Sequence, residues 1–342
     1  MQRYKKSIAT AAVILVSAAS GASAQSVESF YKSTNLTITV GSGAGGGYDV
    51  YTRVLARSLS KHIPGNPKII VQNMPGAAGI KAINHIYAIA PKDGSVIDST
   101  YNTLPLDPLF SGQNANYDAL KLTWIGSIGK QVNVCIAWNG SSFKKYDDVF
   151  EREMVLASSG AAGWRSILPR MMNAIAGTKF KVIDGYETNG MIPAVERGEV
   201  DGMCTTYETL QATAANWLQD KKITFLAQFG LKPIPDLKDV PMGLERIKNP
   251  DDLKAVKLVL FQQEFGRPYV APPALPADRL KALRDGFNAT MKDPVFLEDA
   301  KKTGLNVDPL TGQDMEALIK QAYAAPQDVI ARGKEILDRA SK

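Results

Sequence analysis

The sequence predicts an α/β protein whose mostly parallel sheets form two similar halves facing a cleft. Three observations lead there. Apolar runs of strand length alternate with amphipathic helical segments from about residue 36 to residue 229, the pattern of βαβ crossovers. A strand that breaks into small residues and then into a helix occurs twice, at residues 36–49 and 154–175. Beyond residue 250 the chain carries helices and a proline bend with almost no strand signal.

At 342 residues and 45% hydrophobic content the chain can bury a large core, and its length favours two domains. Arg3, Lys5 and Lys6 precede an uncharged apolar run over 8–19 that ends in Ala22, Ser23 and Ala24. This predicts a secretory signal peptide over 1–24, cleaved before Gln25. The run is too short to span a bilayer, which takes about 18–20 apolar residues, and no later stretch approaches that. With no cysteine after the run, a lipid anchor is not expected, so the mature chain is expected to be soluble and exported. The formal charge of +6 becomes +3 once Arg3, Lys5 and Lys6 are removed. Arg53, Arg57 and Lys61 lie one turn apart on a helix and read as its solvated face; no basic run argues for nucleic acid.

In order, Leu36, Ile38 and Val40 alternate as a strand, and Val50, Tyr51, Val54, Leu55 and Leu59 mark one face of a helix to about residue 62. A strand at 69–72, a glycine turn and a helix over 78–90 follow, the helix stopped by Pro91. The strand at 96–100 opens onto Tyr101, Asn102 and Thr103, and further strands are expected at 122–125 and 132–138. The second half repeats the scheme. A strand at 154–157 breaks into Ser158–Gly163, and the next helix carries Ile167, Leu168, Met171, Met172 and Ile175 on one face. A strand at 179–183 and a turn lead to a helix over 191–197, with Thr188 or Asn189 as its N-cap. A strand at 200–205, a helix over 207–221 and a strand at 223–229 complete this half. A helix over 251–265, a short extended crossing at 267–270 and a bend at Pro272, Pro273 and Pro276 come next. Helices over 277–291, 294–303 and 312–337, the last interrupted at Pro326, are expected to pack back onto the first half.

Gly41, Gly43 and Gly46 satisfy the spacing of a dinucleotide loop, but the second strand ends Val71-Gln72-Asn73-Met74 without the carboxylate that would hold a ribose. Asp49 in the first helical turn would also repel a pyrophosphate. There is no G-x-S-x-G elbow, phosphate-binding P-loop or H-E-x-x-H. The pairs Asp147-Asp148 and Asp251-Asp252 read as helix starts. Catalysis therefore has no candidate residues, and no cofactor is expected. His62 and His85 lack ligand-like neighbours, so no metal site is expected either. Cys135 and Cys204 both fall in apolar strand-like runs, compatible with a disulfide or with two buried thiols. What the glycine turns do offer is a pair of helix N-termini. Each favours an anion by about 0.3–1 kcal/mol when exposed and up to ~2 kcal/mol when partly buried. Converging termini could thus hold a carboxylate without a dedicated arginine.

TITVGSGAGGGYDVYTRVLARSL, VQNMPGAAGIKAINHIYAIAPKDGSVI, YNTLPLDPLF, LASSGAAG, GYETNG followed by GEVDGM, and APPALPADRL, in that order after a signal peptide, resemble the periplasmic solute-binding proteins of tripartite tricarboxylate transporters, the Bug family. The resemblance spans nearly the whole mature chain. It implies a two-lobed periplasmic-binding fold of type II-like form, with residues 25–130 and 265–342 in one lobe and 131–264 in the other. It also implies capture of a small organic acid, such as a di- or tricarboxylate or an aromatic acid, without catalysis. Delivery would be to membrane permease subunits from a periplasmic monomer. A sensor, another transporter class or an exported enzyme are the alternatives.

Mapped by motif, the first ligand loop comprises Ser42, Gly43, Ala44, Gly45, Gly46, Gly47, Tyr48 and Asp49, and the facing loop comprises Ser158, Ser159, Gly160 and Gly163. Asn102 and Thr103 match a further polar contact, Thr188 and Asn189 a second-lobe helix start, and Tyr207 a wall residue. The sequence departs from the family pattern at Ser42-Gly43-Ala44, where prolines are usual, at Glu187-Thr188-Asn189, and at Trp164-Arg165. Arg165 or Trp164 is expected either to reach the cleft, favouring a second acidic group or an aromatic ring, or to form a surface pair. Hinge closure is expected across the segments near Lys130 and Phe265.

Overall fold

The computed structural model describes residues 25–110, 115–161, 163–186 and 188–341. The expected signal peptide lies outside the described residues, as do the side chains of Thr188 and Asn189.

Helix α1 (Val27–Ser33), which no periodicity announced, is capped by Ser26, whose hydroxyl accepts the Ser29 N–H at 3.1 Å. The first half then runs β1 (Leu36–Val40), α2 (Gly47–Leu59), β2 (Ile69–Asn73), α3 (Ile80–Ala88), β3 (Val96–Ser99), α4 (Asp107–Phe110) and β4 (Thr123–Ser127). The second half runs β5 (Asn133–Trp138), α5 (Asp148–Glu151), β6 (Met154–Ala157), α6 (Trp164–Ala176), β7 (Phe180–Ile183) and α7 (Thr188–Glu196). It continues through β8 (Gly202–Thr206), α8 (Tyr207–Thr213), α9 (Ala215–Gln219), β9 (Ile223–Phe229) and α10 (Pro250–Leu260). The chain returns through β10 (Pro268–Ala271), then α11 (Ala277–Thr290), α12 (Pro294–Lys302), β11 (Leu310–Thr311), α13 (Gly312–Tyr323) and α14 (Gln327–Ala340).

The strands form two sheets, ordered β11-β4-β10-β3-β1-β2 and β7-β6-β8-β5-β9. Both follow one plan. In the first, β1 pairs in parallel with β2 and β3, and β10 runs antiparallel between β3 and β4. In the second, β6 pairs in parallel with β7 and β8, and β5 runs antiparallel between β8 and β9. In each sheet the inner reversed strand, β10 or β5, arrives from the other half of the molecule, and β11 adds a second antiparallel strand at the edge of the first sheet. Helices cover both faces, which is why Leu36, Ile38, Val134, Ile136, Leu156 and Leu226 are all fully buried. The turns after β1 and β6 leave the carboxyl ends of their strands beside a strand on either side, the place where open α/β sheets form a crevice.

The two halves are joined where the segment after β4 meets the segment before β10. Ile128 donates to the Arg267 carbonyl at 3.1 Å, Arg267 N–H to the Gly129 carbonyl at 3.2 Å, and Gln131 N–H to the Gln263 carbonyl at 3.0 Å. The Gln263 amide donates to the Phe229 carbonyl at 2.6 Å and its carbonyl accepts the Asn133 N–H at 3.2 Å, so one side chain ties both crossings together. The approach is so close that a Cβ at Gly266 would collide with the Gly129 carbonyl. Lys130 and Glu264 pair across the same junction at 2.8 Å.

Two departures from the sequence expectations have plain causes, and one alternative left open is decided. The helix expected over 207–221 breaks at Ala214 (φ −142°, ψ 41°), which turns Trp217 into the core with its indole N–H on Glu196 at 2.9 Å. The C-terminal helices divide. Phe287 and Phe296, on α11 and α12, pack with Leu36, Ile38 and Tyr269 on the first sheet, whereas Ile336 and Ala340 of α14 pack with Leu156 on the second sheet and with Met171 of α6 and Val256 of α10. Pro326 makes this redirection possible by ending α13 and starting α14. Finally, the two cysteines, left open by the sequence, are joined: Cys135 and Cys204 stand directly opposite in the β5/β8 register and form a buried disulfide.

Candidate functional site

Between the halves lies a cavity of about 620 Å³, and both glycine turns open into it. The two turns are built alike. In the first, Gly46 N–H bonds back to the Gly43 carbonyl at 3.3 Å and Gly46 caps α2 with φ −73° and ψ 162°. In the second, Gly163 N–H bonds to the Gly160 carbonyl at 3.0 Å and Gly163 caps α6 with φ −83° and ψ 149°. Neither cap supplies a side-chain acceptor, so the first N–H groups of both helices remain available to a ligand.

Of the residues expected in the first loop, Ser42, Gly43, Ala44, Gly46, Gly47 and Tyr48 line the cavity. Asn102 and Thr103 line it from the turn after β3, and Ser159, Gly160, Gly163 and Arg165 from the facing side. Tyr48 is fixed from two directions. Its hydroxyl bonds to the Asn102 side-chain oxygen at 3.1 Å and accepts the Asn102 N–H at 3.0 Å, and its ring stands 4.5 Å from that of Tyr101. Trp164 also lines the cavity, so the surface-pair alternative for Trp164-Arg165 does not describe this chain.

Four expected residues stand elsewhere. Asp49 is buried behind the loop, where it accepts from Gly45 N–H at 2.9 Å, Arg53 Nε at 2.9 Å and Asn73 Nδ2 at 2.9 Å. Burial pushes its carboxyl up, but those hydrogen bonds and the Arg53 charge outweigh burial and hold it below the usual carboxylate range. Gly45 is drawn back with it and does not line the cavity. Ser158 is fully buried, its hydroxyl 2.6 Å from that of Ser166. Tyr207 bonds to Asp236 at 3.2 Å and lines a separate cavity of about 600 Å³ beside Lys130 and Glu264. Thr188 and Asn189 begin α7, and their side chains lie outside the described residues.

Sequence reasoning missed Arg267, and with it the neutral wall of Gln131, Asn133, Thr205, Thr206 and Thr209. Arg267 is only 3% exposed. Its guanidinium lies 4.4 Å from the Tyr48 ring centre and 4.7 Å from that of Tyr51, and a Cβ added at Gly47 would come within 3.2 Å of Nη2. The Gln131 carbonyl, turned toward it, accepts from Nη1 at 2.5 Å and Nη2 at 2.9 Å. Glu208 acts on Arg267 through space while accepting the Val132 N–H at 3.1 Å; burial pushes its carboxyl up to about 7. One signal was present in the sequence: Arg267 is the single charge in the run from Phe265 to Ala277. Arg165 reaches the cavity from α6 and donates to Thr205 Oγ1 at 3.4 Å. Burial, reinforced by Arg267 and opposed by Tyr101, holds its guanidinium below the usual range.

Among the described residues no group of histidine, cysteine and acidic side chains could hold a metal. No described helix is long and apolar enough to cross a membrane. The chain is 24% identical over 315 residues to a UPF0065 protein from the TAR-I ttuE–ttuC' intergenic region of Agrobacterium vitis, covering 88% of this chain and 84% of that one. Its fold is similar to that of the periplasmic binding protein BugD (TM-score 0.67, 20% identity, 90% of this chain and 98% of that one). It is also similar to MatC from Rhodopseudomonas palustris with bound malate (TM-score 0.65, 16% identity, 89% and 99%). A third relative in fold is an R. palustris protein with adipate (TM-score 0.67, 16% identity, 90% and 97%). The model of the tripartite tricarboxylate transporter family receptor, TctC, matches residues 51–334. The chain therefore belongs to TctC, the tripartite tricarboxylate transporter family receptor.

Proposed function

We propose that this chain is an extracytoplasmic receptor that captures a small organic acid between its two halves and delivers it to the membrane permease of a tripartite tricarboxylate-type transporter. The observation that carries the reading is the pair of like-built glycine turns, each ending in an uncapped helix N-terminus, on opposite sides of one cavity. Two fixed sets of N–H donors and two helix dipoles suit a carboxylate and hold it with no chemistry to perform. Binding of malate and of adipate by relatives of the same fold supports the ligand class.

The lobes are residues 25–130 with 265–326, and 131–264 with α14, which packs on the second core through Ile336 and Ala340 while Leu337 also reaches the first-half cluster around Phe110. The protein works as a periplasmic monomer after removal of residues 1–24. Bound acid favours a closed state by touching both lobes, and the crossings at Lys130 and Phe265 act as the hinge. A thermal-shift screen of the purified mature chain against mono-, di- and tricarboxylates and aromatic acids tests this. A true ligand at about 100 times Kd stabilises by ~2.7 kcal/mol. Silence across every acid class would remove the reading.

A further inference from the structure

The first turn of α8 is shared between two cavities. Thr206 and Thr209 line the one between the halves, whereas Tyr207, Glu208 and Gln211 line the separate one behind the crossings. Glu208 is only 4% exposed, and its carboxylate is held by the Val132 N–H at 3.1 Å rather than by an ion pair. The residue before Val132 holds the cation. The Gln131 carbonyl accepts from the Arg267 guanidinium, and Gln131 lines both cavities, so adjacent residues fix the acid on one side and the base on the other. Glu208 acts through space on Arg267 and on Tyr51, whose ring supports the same guanidinium. Arg267 thus has a counter-charge at its back while it lines the cavity in front.

The other charged groups that face Glu208 surround the rear cavity. Lys130 pairs with Glu264 at 2.8 Å and is also acted on by Asp308, and Tyr207 bonds to Asp236 at 3.2 Å. With Lys232, two lysines meet four carboxylates there. That side offers Glu208 more negative charge than positive, and Arg267 is the cation that opposes its burial. Burial pushes the carboxyl up to about 7, which puts its change of state near neutral pH.

Resting on the proposed receptor role, we propose that Glu208 is a positioning residue that shares Arg267 with the bound acid and takes up a proton as the acid enters. A carboxylate arriving beside Arg267 brings a second negative charge to one guanidinium and makes ionised Glu208 less favourable. The proton comes from solvent and forms an O–H bond on Glu208. No bond in the ligand changes, and the net charge around Arg267 is the same before and after binding. The neutral carboxyl still accepts the Val132 N–H through its carbonyl oxygen. Affinity is therefore higher below the titration of Glu208 than above it, by about tenfold if the ligand displaces that titration by about one pH unit.

The test is isothermal titration of the mature protein with propionate, malate, adipate, tricarballylate and benzoate, in buffers of different ionisation heat. Between about pH 6 and about pH 9 an acid that binds is expected to lose about tenfold in affinity, and at about pH 7.5 to bring in about half a proton. The ligand's own carboxyls titrate near about 4–5, and any remaining effect of theirs has the opposite sign. E208Q keeps the acceptor for Val132 and is expected to bind at high pH about as tightly as the wild-type protein does at low pH, with no proton uptake. Asp98, also pushed up to about 7, does not line the cavity, and D98N is expected to keep the uptake. A merely structural role for Glu208 would weaken E208Q at every pH and leave the proton count in place. Binding by the wild-type protein without proton uptake would overturn the proposal with no variant needed, and so would uptake that survives E208Q. Silence of all five acids removes the receptor reading and the linkage with it, whereas binding with a flat pH profile removes the linkage alone.

Discussion

The two turns that face the cavity share a backbone and differ in where they place charge. Position by position, Gly47, Tyr48, Asp49 and Arg53 of α2 stand where Trp164, Arg165, Ser166 and Arg170 stand in α6. The third residue braces the turn in both. Asp49 takes bonds from Gly45, Arg53 and Asn73 at the end of β2. Ser166 bonds to Ser158 and to Asp184 just past β7, and Arg170 reaches the same Asp184 at 2.7 Å. The acid has moved from the helix in one half to the strand end in the other, with the cation one turn further along in both. The second residue points into the cavity as a tyrosine in one half and as an arginine in the other. Asp49 thus braces the loop through Gly45, Arg53 and Asn73 and does not itself line the cavity.

The largest expected difference between the halves is covalent. The second sheet carries a disulfide closing a 69-residue separation, and the first carries none among the described residues. Replacing both Cys135 and Cys204 with serine should lower unfolding free energy by about 4 kcal/mol in a urea titration. Loss of stability in the second half should precede that in the first.

The first half has its own weak point in Asp98, fully buried on β3 with Thr39 Oγ1 at 2.5 Å. Burial pushes its carboxyl up to about 7, against the opposing hydrogen bonds of Thr39 and Thr100. Because the folded value lies above the unfolded one, this group's contribution is fully present below about pH 4 and is lost as pH rises to about 7. Glu208, also pushed up to about 7, adds a loss of the same sign. Asp49, held low, acts oppositely, and its stabilisation is lost only as pH falls below the usual carboxylate value. Asp98→Asn should therefore raise stability at pH 8 by at most about 4 kcal/mol and flatten the decline between pH 4 and 7 in thermal unfolding.

The smallest effect is the most specific. Asp49→Ser alone should cost about 2 kcal/mol, since it removes hydrogen bonds to a charged acceptor. Adding Asn73→Asp rebuilds the arrangement of the second half, serine on the helix and acid on the strand, and should recover about half of that loss. A double-mutant cycle with no recovery would break the equivalence of the two braces.

Most of the fold was legible because its elements have clean periods: β1, β6 and β9 follow directly from apolar runs, and α2 and α6 from one-sided stripes. The two loops were legible because strand, small residues and helix leave one geometry open. Other features depended on partners far along the chain. The destination of α14 is set by its fit against α6 and α10, and the disulfide by the register of β5 on β8. Arg267 was missed because its role comes from Tyr48, Tyr51 and Gln131, each more than 130 residues away in sequence, and Asp49 was misplaced because its partner Asn73 lies on the neighbouring strand.

A crystal structure of the mature chain with the tightest acid from the thermal screen bears most directly on the two-turn clamp. The expected density places the acid in the cavity between the halves, with its oxygens within hydrogen-bond distance of N–H groups at both Gly46–Tyr48 and Gly163–Arg165. An acid bound through one turn alone, or in the cavity beside Tyr207, would contradict the account.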